Sequence, residues 1–269
     1  MPCATGRTPG CRAYAGVTLW YLGYPDQALQ RSREALTLAR ELGHPVSLAS
    51  ALLFAAWVHH FRGEGPLIQE RAEAAIALAA EQGLTALLAH GTIFQGWALA
   101  QRSAVPGTGR GCREEGIAQI RQGLAAWRAT GAQVLRLYGL ALLAEASVQA
   151  GQREAGLALL AEALVVANDT GERRWDAELH RLRGELLLTP SAAHAEEAES
   201  CFGQALDIAR RQQAKSWELR AAMSLSRLWQ RQGKRAEAHE LLAPVYGWFT
   251  EGFDTADLQE AKALLEALA

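Results

Sequence analysis

One repeated pattern, a helix closed by a glycine, constrains the fold of this chain more than any other feature. Residues 151–172, GQREAGLALLAEALVVANDTGE, show it clearly, because apolar residues recur every three or four positions between Gly151 and Gly171. That period is typical of an amphipathic helix, and glycine readily adopts the left-handed conformation that ends one. Small residues at Gly156 and Ala163 would let a neighbouring helix approach closely. One such helix cannot bury its apolar stripe alone, so the pattern predicts a stack of similar helices.

The same pattern recurs along the chain as pairs of helices. Pairs are predicted to end near residues 43, 83, 131, 171, 214 and 252, so that successive ends lie 38 to 48 residues apart. A period near forty residues with two helices per unit is typical of a helical solenoid. No alternating run of β-branched residues competes with it, so no strands are expected.

The repeat arithmetic also predicts the boundaries. Residues 1–12 lack periodicity and are expected to form a loose tail, 13–254 a repeat array, and 255–269 a polar capping helix. The third unit is about eight residues longer than the period, and we expect the excess, 103–113, to be an insertion in the loop between two helices. The first unit lacks a full first helix and a polar cap, which suggests that the chain is the tail of a larger protein.

Composition excludes several classes of function. The chain has 269 residues, a formal net charge of −2, and 49% hydrophobic and 21% charged residues, which are globular values without a basic surface for nucleic acid or an acidic membrane. No apolar run reaches the ~18 residues that span a bilayer. The four cysteines show no metal or redox spacing. A soluble, cytoplasmic protein with neither nucleic acid nor membrane partner is expected.

Motifs for catalysis are also missing from the sequence. The string GTGRG at 107–111 has no following Lys-Ser or Lys-Thr and no preceding strand, so it does not indicate a phosphate loop. No HExxH or GxSxG string occurs. Adjacent His59 and His60 are expected to be one packed and one exposed, because neighbours on a helix point to different sides. The sequence therefore predicts no enzyme activity, no cofactor, no metal site and no catalytic residue.

A finer spacing carries a resemblance to a known family. Turn glycines are followed by small residues at +5 and +12, as in Gly151, Gly156 and Ala163. This spacing resembles that of tetratricopeptide (TPR) repeats, although the period exceeds that family's usual length of about 34 residues. The strings ELGHPVSLASAL, AELHRLRGELLL and AESCF are similar to the C-terminal helical regions of bacterial AAA- or STAND-type ATPases, often linked to a nucleotide cyclase. The resemblance implies a right-handed α-solenoid of about six TPR-like helix pairs with a C-terminal capping helix.

In the family that the chain resembles, the first helix of each pair lines a concave groove. The resemblance therefore implies a scaffold or sensor that binds a protein, a peptide or a small effector there, with aromatic and arginine side chains as anchors. The open alternatives are that the tryptophans fill gaps between helices, that the charges pair between adjacent repeats, and that the chain is a self-association module that forms homo-oligomers. The predicted groove residues, from an aromatic end to a charged end, are Trp57, His60, His90, Trp97, Tyr138, Glu145, Glu178, Arg181, Glu185, Arg220, Arg227 and Arg231.

Overall fold

The fold is seen in a computed structural model that describes residues 8–101, 109–132, 135–188 and 194–269, with only the backbone described at 109 and 110. These residues form thirteen α-helices and no strand, which confirms the predicted all-α class of about six helix pairs followed by one more helix. The helices are α1 (Pro9–Tyr21), α2 (Pro25–Leu42), α3 (Pro45–Arg62), α4 (Gly65–Glu81), α5 (Thr85–Gln101), α6 (Gly109–Ala129), α7 (Arg136–Gln149), α8 (Arg153–Thr170), α9 (Asp176–Leu187), α10 (Ala195–Arg211), α11 (Lys215–Arg231), α12 (Arg235–Tyr246) and α13 (Ala256–Leu268).

The chain divides into two compact units. Unit 1 comprises Met1–Trp20 and Pro25–Ala146, and unit 2 comprises Tyr21–Tyr24 and Ser147–Ala269. In both units the odd-numbered helices are the first helices of the pairs. First helices contact one another as well as their own partners, as α3 does with α5 in unit 1 and α11 with α9 and α13 in unit 2. Side chains from successive first helices therefore share one face within a unit.

Helix α1 begins at Pro9, earlier than the residue 13 at which the sequence places the first helix. The difference has a local cause. Thr8 precedes the helix, and its hydroxyl accepts a hydrogen bond from the Cys11 N–H at 3.3 Å. Proline is favoured in a first turn because its missing N–H would have no helical partner there. Residues 1–7 of the expected tail lie outside the described residues.

The glycines that close the helices adopt the left-handed backbone that the sequence pattern requires. Nine turn glycines have φ between 61° and 92°, among them Gly43, Gly83, Gly131, Gly171 and Gly252 at the predicted unit ends. The remaining predicted end, near residue 214, has Gln213 in this conformation instead, with φ of 54°. Glycine adopts such angles without the clash that a Cβ atom introduces.

Small residues let neighbouring helices approach closely. Ala28, Ala35 and Ala163, at the +5 and +12 positions, are completely buried. A Cβ atom added to Gly156 would lie 2.7 Å from a Leu186 methyl carbon, so no larger residue fits there without movement. These contacts place part of the core between neighbouring helices.

Two other predicted segments are seen in part. Of the expected insertion 103–113, residues 103–108 lie outside the described residues, and Gly109 begins α6. Helix α13 lies within the predicted capping segment 255–269 and buries Leu258, Ala261, Leu264 and Leu268. Within the described ranges, none of the helices is both long and apolar enough to cross a membrane.

Candidate functional site

Unit 1 joins four of the predicted site residues in one hydrogen-bonded network. Tyr138 Oη lies 3.2 Å from His60 Nδ1, and His60 Nε2 lies 3.2 Å from Glu145 Oε2. Trp97 donates its indole N–H to the same carboxylate oxygen, also at 3.2 Å. A neutral imidazole protonated at Nε2 satisfies both contacts, accepting from Tyr138 and donating to Glu145. Helices α3, α5 and α7 each contribute to this network, as successive first helices.

The aromatic members of this network and the neighbouring Trp57 are packed inside unit 1. The Trp57 and Tyr138 rings stack with centroids 4.2 Å apart, and the His60 and Trp97 rings meet edge to face at 4.4 Å. Trp57 and Tyr138 are each 1% exposed, and His60 and Trp97 are 5% exposed. The Glu145 side chain, by contrast, is 22% exposed. These aromatic rings therefore fill space between helices, and the network reaches solvent through the Glu145 carboxylate.

His90 lies apart from the network, in the contact between α5 and α6. It packs against Phe94 and Trp127, with ring centroids 5.1 and 5.9 Å away, and only 4% of the residue is exposed. Burial lowers the pKa of His90 to about 3, so the ring is neutral near pH 7. A neutral, buried imidazole offers no charge and almost no surface to a partner.

The expectation that one of His59 and His60 is exposed is wrong, because both are buried at 6% and 5% exposure. His59 Nδ1 lies 2.5 Å from Glu64 Oε2, beyond the Gly63 turn. Arg62, 3% exposed, donates to the other Glu64 oxygen at 2.8 Å and to the Pro25 carbonyl at 3.1 Å. Burial alone would raise the pKa of Glu64, but the hydrogen bonds from His59 and Arg62 outweigh it and lower the pKa. Sequence reasoning missed this cluster, which joins the end of α3 to the start of α2.

In unit 2, α9 and α11 present a linked row of charged and hydroxyl groups. Arg181 forms a bidentate ion pair with Glu178, with N–O distances of 2.7 and 2.8 Å. The Ser224 hydroxyl of α11 donates to Glu185 Oε1 at 2.6 Å and accepts from Arg181 Nη1 at 3.4 Å. Glu178 is 4% exposed, whereas the Arg181 and Glu185 side chains are 15% and 30% exposed. The row therefore has a buried base and a solvent-facing edge.

Arg220 connects the row to α13. Its Nε donates to Asp257 at 2.8 Å, its Nη1 lies 3.7 Å from Glu178, and its guanidinium sits 5.3 Å from the centre of the Trp217 ring. Burial would lower the pKa of Arg220, but the facing carboxylates of Asp257 and Glu178 raise it. Burial raises the pKa of Asp257, and the attraction of Arg220 only partly offsets this effect. These charges pair between neighbouring helix pairs.

The remaining arginines of the predicted charged end are more accessible. Arg227 pairs with Glu260 of α13 at 2.7 Å, and their side chains are 38% and 58% exposed. An ion pair this open to water contributes little to stability. Arg231 is exposed at the end of α11. Sequence reasoning missed Ser224, Asp257 and Glu260, because their roles depend on which helix lies beside α11.

The donor and acceptor groups of both units are held in place by neighbouring side chains. Each network combines carboxylate acceptors with N–H or hydroxyl donors whose positions are fixed by neighbouring side chains. Among the described residues, no group of three or more His, Cys, Asp or Glu side chains is arranged to hold a metal ion. Such an arrangement can bind complementary polar groups of a partner.

Comparisons with known proteins bear on the fold. No family model and no curated protein sequence matches the chain. Among solved structures, the apo form of RapI matches at a TM-score of 0.58 and 11% identity, covering 99% of this chain and 87% of that one. A Rap protein complexed with competence and sporulation factor matches at a TM-score of 0.63 and 10% identity, covering 96% of this chain and 72% of that one.

A third solved structure is a signal transduction ATPase with numerous domains (STAND) from Pyrococcus horikoshii, which carries a tetratricopeptide repeat sensor. It matches at a TM-score of 0.51 and 13% identity, covering 97% of this chain and 37% of that one. Identities this low show the fold alone. Together with the helix pairs described above, these likenesses show that the chain has a TPR-like helical repeat fold.

Proposed function

We propose that the chain is a non-enzymatic TPR-like scaffold or sensor that binds a protein or peptide partner on the face that the first helices form within a unit. The observation that carries this proposal is the meeting of polar side chains from successive first helices. In unit 1, the Glu145 carboxylate of α7 is hydrogen-bonded to His60 of α3 and Trp97 of α5. In unit 2, Glu185 of α9 accepts a hydrogen bond from the Ser224 hydroxyl of α11.

The partial exposure of these groups supports a role in binding. Glu145, Glu185 and Arg227 have side chains that are 22%, 30% and 38% exposed, while the groups that hold Glu145 and Glu185 are more deeply buried. A carboxylate held in one rotamer loses little conformational entropy when a partner's N–H group binds to it. Peptides expose N–H and C=O groups along their length, so a row of fixed acceptors and donors suits them.

The Rap structure similar to this chain is complexed with a factor, which adds support for a peptide or protein partner here. Charged residues on the face would set the orientation and selectivity of binding, whereas the buried aromatic residues would hold the helices in register. The cysteine pattern and the composition agree with a cytoplasmic location for such a module.

The proposal is tested with peptides selected by phage display on the complete chain and labelled with fluorescein. Glu185→Gln and Arg227→Gln should each weaken binding of a peptide that occupies unit 2 by about fivefold or more, because each removes a charge from the face. Glu240→Gln is the matched control, since Glu240 is an exposed carboxylate on the second helix α12. Unchanged peptide affinity in the Glu185→Gln and Arg227→Gln variants, or an equal loss of affinity in Glu240→Gln, would overturn the proposal.

We further infer that the chain is the C-terminal part of a larger bacterial signalling ATPase. The support is the likeness to a STAND protein of which this chain spans 37%, together with the similar strings in the sequence. An antibody raised against the chain should detect a protein clearly longer than 269 residues in the source cells. Detection of a species of this length alone, in cells lysed directly in denaturant, would argue against that context.

A self-association module remains the rival proposal. Large apolar side chains are exposed on the first helices of unit 1, with Tyr14 49% and Val46 41% exposed. Light scattering that finds a concentration-independent dimer, dispersed by Tyr14→Ser, would favour this rival. A monomer across the concentration range would favour recognition of a separate partner.

A further inference from the structure

A second site lies in unit 2, away from the first-helix face. Helices α8, α9 and α10 line a partly open cavity of about 360 Å³. Its wall on α8 is formed by Leu157, Leu160, Ala161 and Leu164, which repeat at the spacing of one helix face. Cavities of 300–1,000 Å³ with mainly apolar walls are typical of small-molecule sites.

The floor of this α8–α10 cavity continues the apolar surface. Leu187 of α9 lies opposite the α8 stripe and is 5% exposed, and Leu160 is 1% exposed. Leu157 and Leu164 are only half-buried, so apolar surface remains for a ligand to cover. Burying such surface stabilises a complex by about 25 cal/mol per Å² before the costs of association.

One cation at the rim gives the cavity its selectivity. Arg183 lies on α9 one helical turn before Leu187, on the same side of the helix, and its side chain is exposed. Among the described residues, Arg183 has no carboxylate within ion-pair distance, unlike Arg181 and Arg220 of the first-helix face. An exposed guanidinium at the edge of an apolar cavity can bind a carboxylate through two parallel N–H groups.

The acidic residue at the rim does not cancel this cation. Glu197 of α10 also lines the cavity, but its side chain is 64% exposed and one of its oxygens lies 3.1 Å from His194 Nδ1. A carboxylate that open to water is strongly hydrated and screened. The apolar stripe and the Arg183 guanidinium therefore define complementary chemistry for an apolar body with an anionic head.

We propose that the α8–α10 cavity binds a small amphiphile with an alkyl chain and a carboxylate head. The chain lies along Leu157, Leu160 and Leu164, and the head pairs with Arg183. This site is separate from the first-helix face, so its occupancy is an additional function of unit 2.

Isothermal titration of the complete chain with sodium decanoate tests this assignment, and decyltrimethylammonium is the matched cationic probe. Decanoate should bind saturably with a Kd on the order of 0.1 mM, and more tightly than the cationic probe. Arg183→Gln should weaken decanoate binding about fivefold and remove the preference for the anion. Arg211→Gln should leave both unchanged, because Arg211 is an exposed arginine at the end of α10 that does not line the cavity.

A second pair of variants tests the place of binding. Ala161 is exposed on the cavity wall, so Ala161→Trp should fill the cavity and abolish decanoate binding without disturbing the core. Ala125→Trp places the same side chain on an exposed part of α6 and should have no effect. Thermal melts by circular dichroism establish that each variant is folded.

Three results would overturn the assignment. The first is equal or tighter binding of decyltrimethylammonium, and the second is decanoate binding that survives Ala161→Trp. The third is a dimer in light scattering that Ala161→Trp disperses, because it would assign the cavity to a second copy of the chain.

Discussion

Gln213 has the left-handed backbone that glycine adopts in nine other turns, and replacing it with glycine should stabilise unit 2. Gln213 has φ of 54°, and Gly233 has φ of 81° at the equivalent place after α11. The hydrogen bonds of the two turns correspond. The N–H groups of Gln213 and Gly233 each bind the carbonyl three residues earlier at 3.1 Å, and the next N–H group binds five residues back at 2.9 Å.

The size of the effect follows from this equivalence. A left-handed conformation costs a residue with a Cβ atom about 1 kcal/mol or more relative to glycine. Glycine loses more backbone entropy on folding, which reduces the expected gain in stability by roughly 0.5 kcal/mol. Gln213→Gly should therefore raise the free energy of unfolding by about 0.5–1 kcal/mol. Gly233→Gln is the reverse substitution and should lower it by a similar amount.

Gln232→Gly provides the matched control. Gln232 also follows a helix, but its φ of −83° and ψ of −3° lie in the right-handed region, where glycine brings only its entropy cost. It should destabilise unit 2 by roughly 0.5–1 kcal/mol. Urea unfolding followed by circular dichroism and by tryptophan fluorescence measures all three variants. If Gln213→Gly destabilises the chain as Gln232→Gly does, the left-handed strain assigned to Gln213 is refuted.

Two further predictions concern helical glycines and the buried His90. An alanine Cβ at Gly116 would lie 2.4 Å from the Gly96 carbonyl oxygen, so Gly116→Ala should lower the free energy of unfolding by about 1–3 kcal/mol. Gly203 has open space around it, so Gly203→Ala should raise the free energy of unfolding by up to ~1 kcal/mol. Urea titrations that give both variants the same sign would contradict this packing argument. Burial lowers the pKa of His90 from 6.5 to about 3. Between these pH values the unfolded state therefore binds one more proton than the folded state. The free energy of unfolding should fall by up to ~1.4 kcal/mol per pH unit as the pH drops from 6.5 towards 3. His90→Leu should lose this dependence, and equal pH slopes for the two proteins would count against it.

The repeat architecture was accessible from sequence because it rests on local signals. A helix period of three to four residues and a glycine at each turn are read within a single unit, and the turn glycines do adopt positive φ. Gln213 shows the limit of this reading, since a glutamine gives no signal for a left-handed turn. The start of α1 was missed for a similar reason: Thr8 and Pro9 form a capped first turn inside a segment without periodicity.

The predicted site could be read only in part because its contacts are distant in sequence. His60 and Glu145 are 85 residues apart, and Arg181 and Ser224 are 43 apart. The repeat pattern could select these positions on first helices, but it could not say which would meet solvent. Trp97 and Glu145 show this limit. They are hydrogen-bonded to each other, yet Trp97 is 5% exposed and the Glu145 side chain is 22% exposed.

The networks on the first helices combine a structural role with the binding role proposed above. Replacing Glu145 with an apolar residue would leave the His60 and Trp97 donors buried without this acceptor, at a cost of about 1–3 kcal/mol each. The same two donors hold the carboxylate in one position at the edge of unit 1. In unit 2, Ser224 and Arg181 hold Glu185 in the same manner. Each unit thus fixes a partly exposed acceptor through its own packing, and a partner that supplies N–H groups would bind to a site that is already ordered.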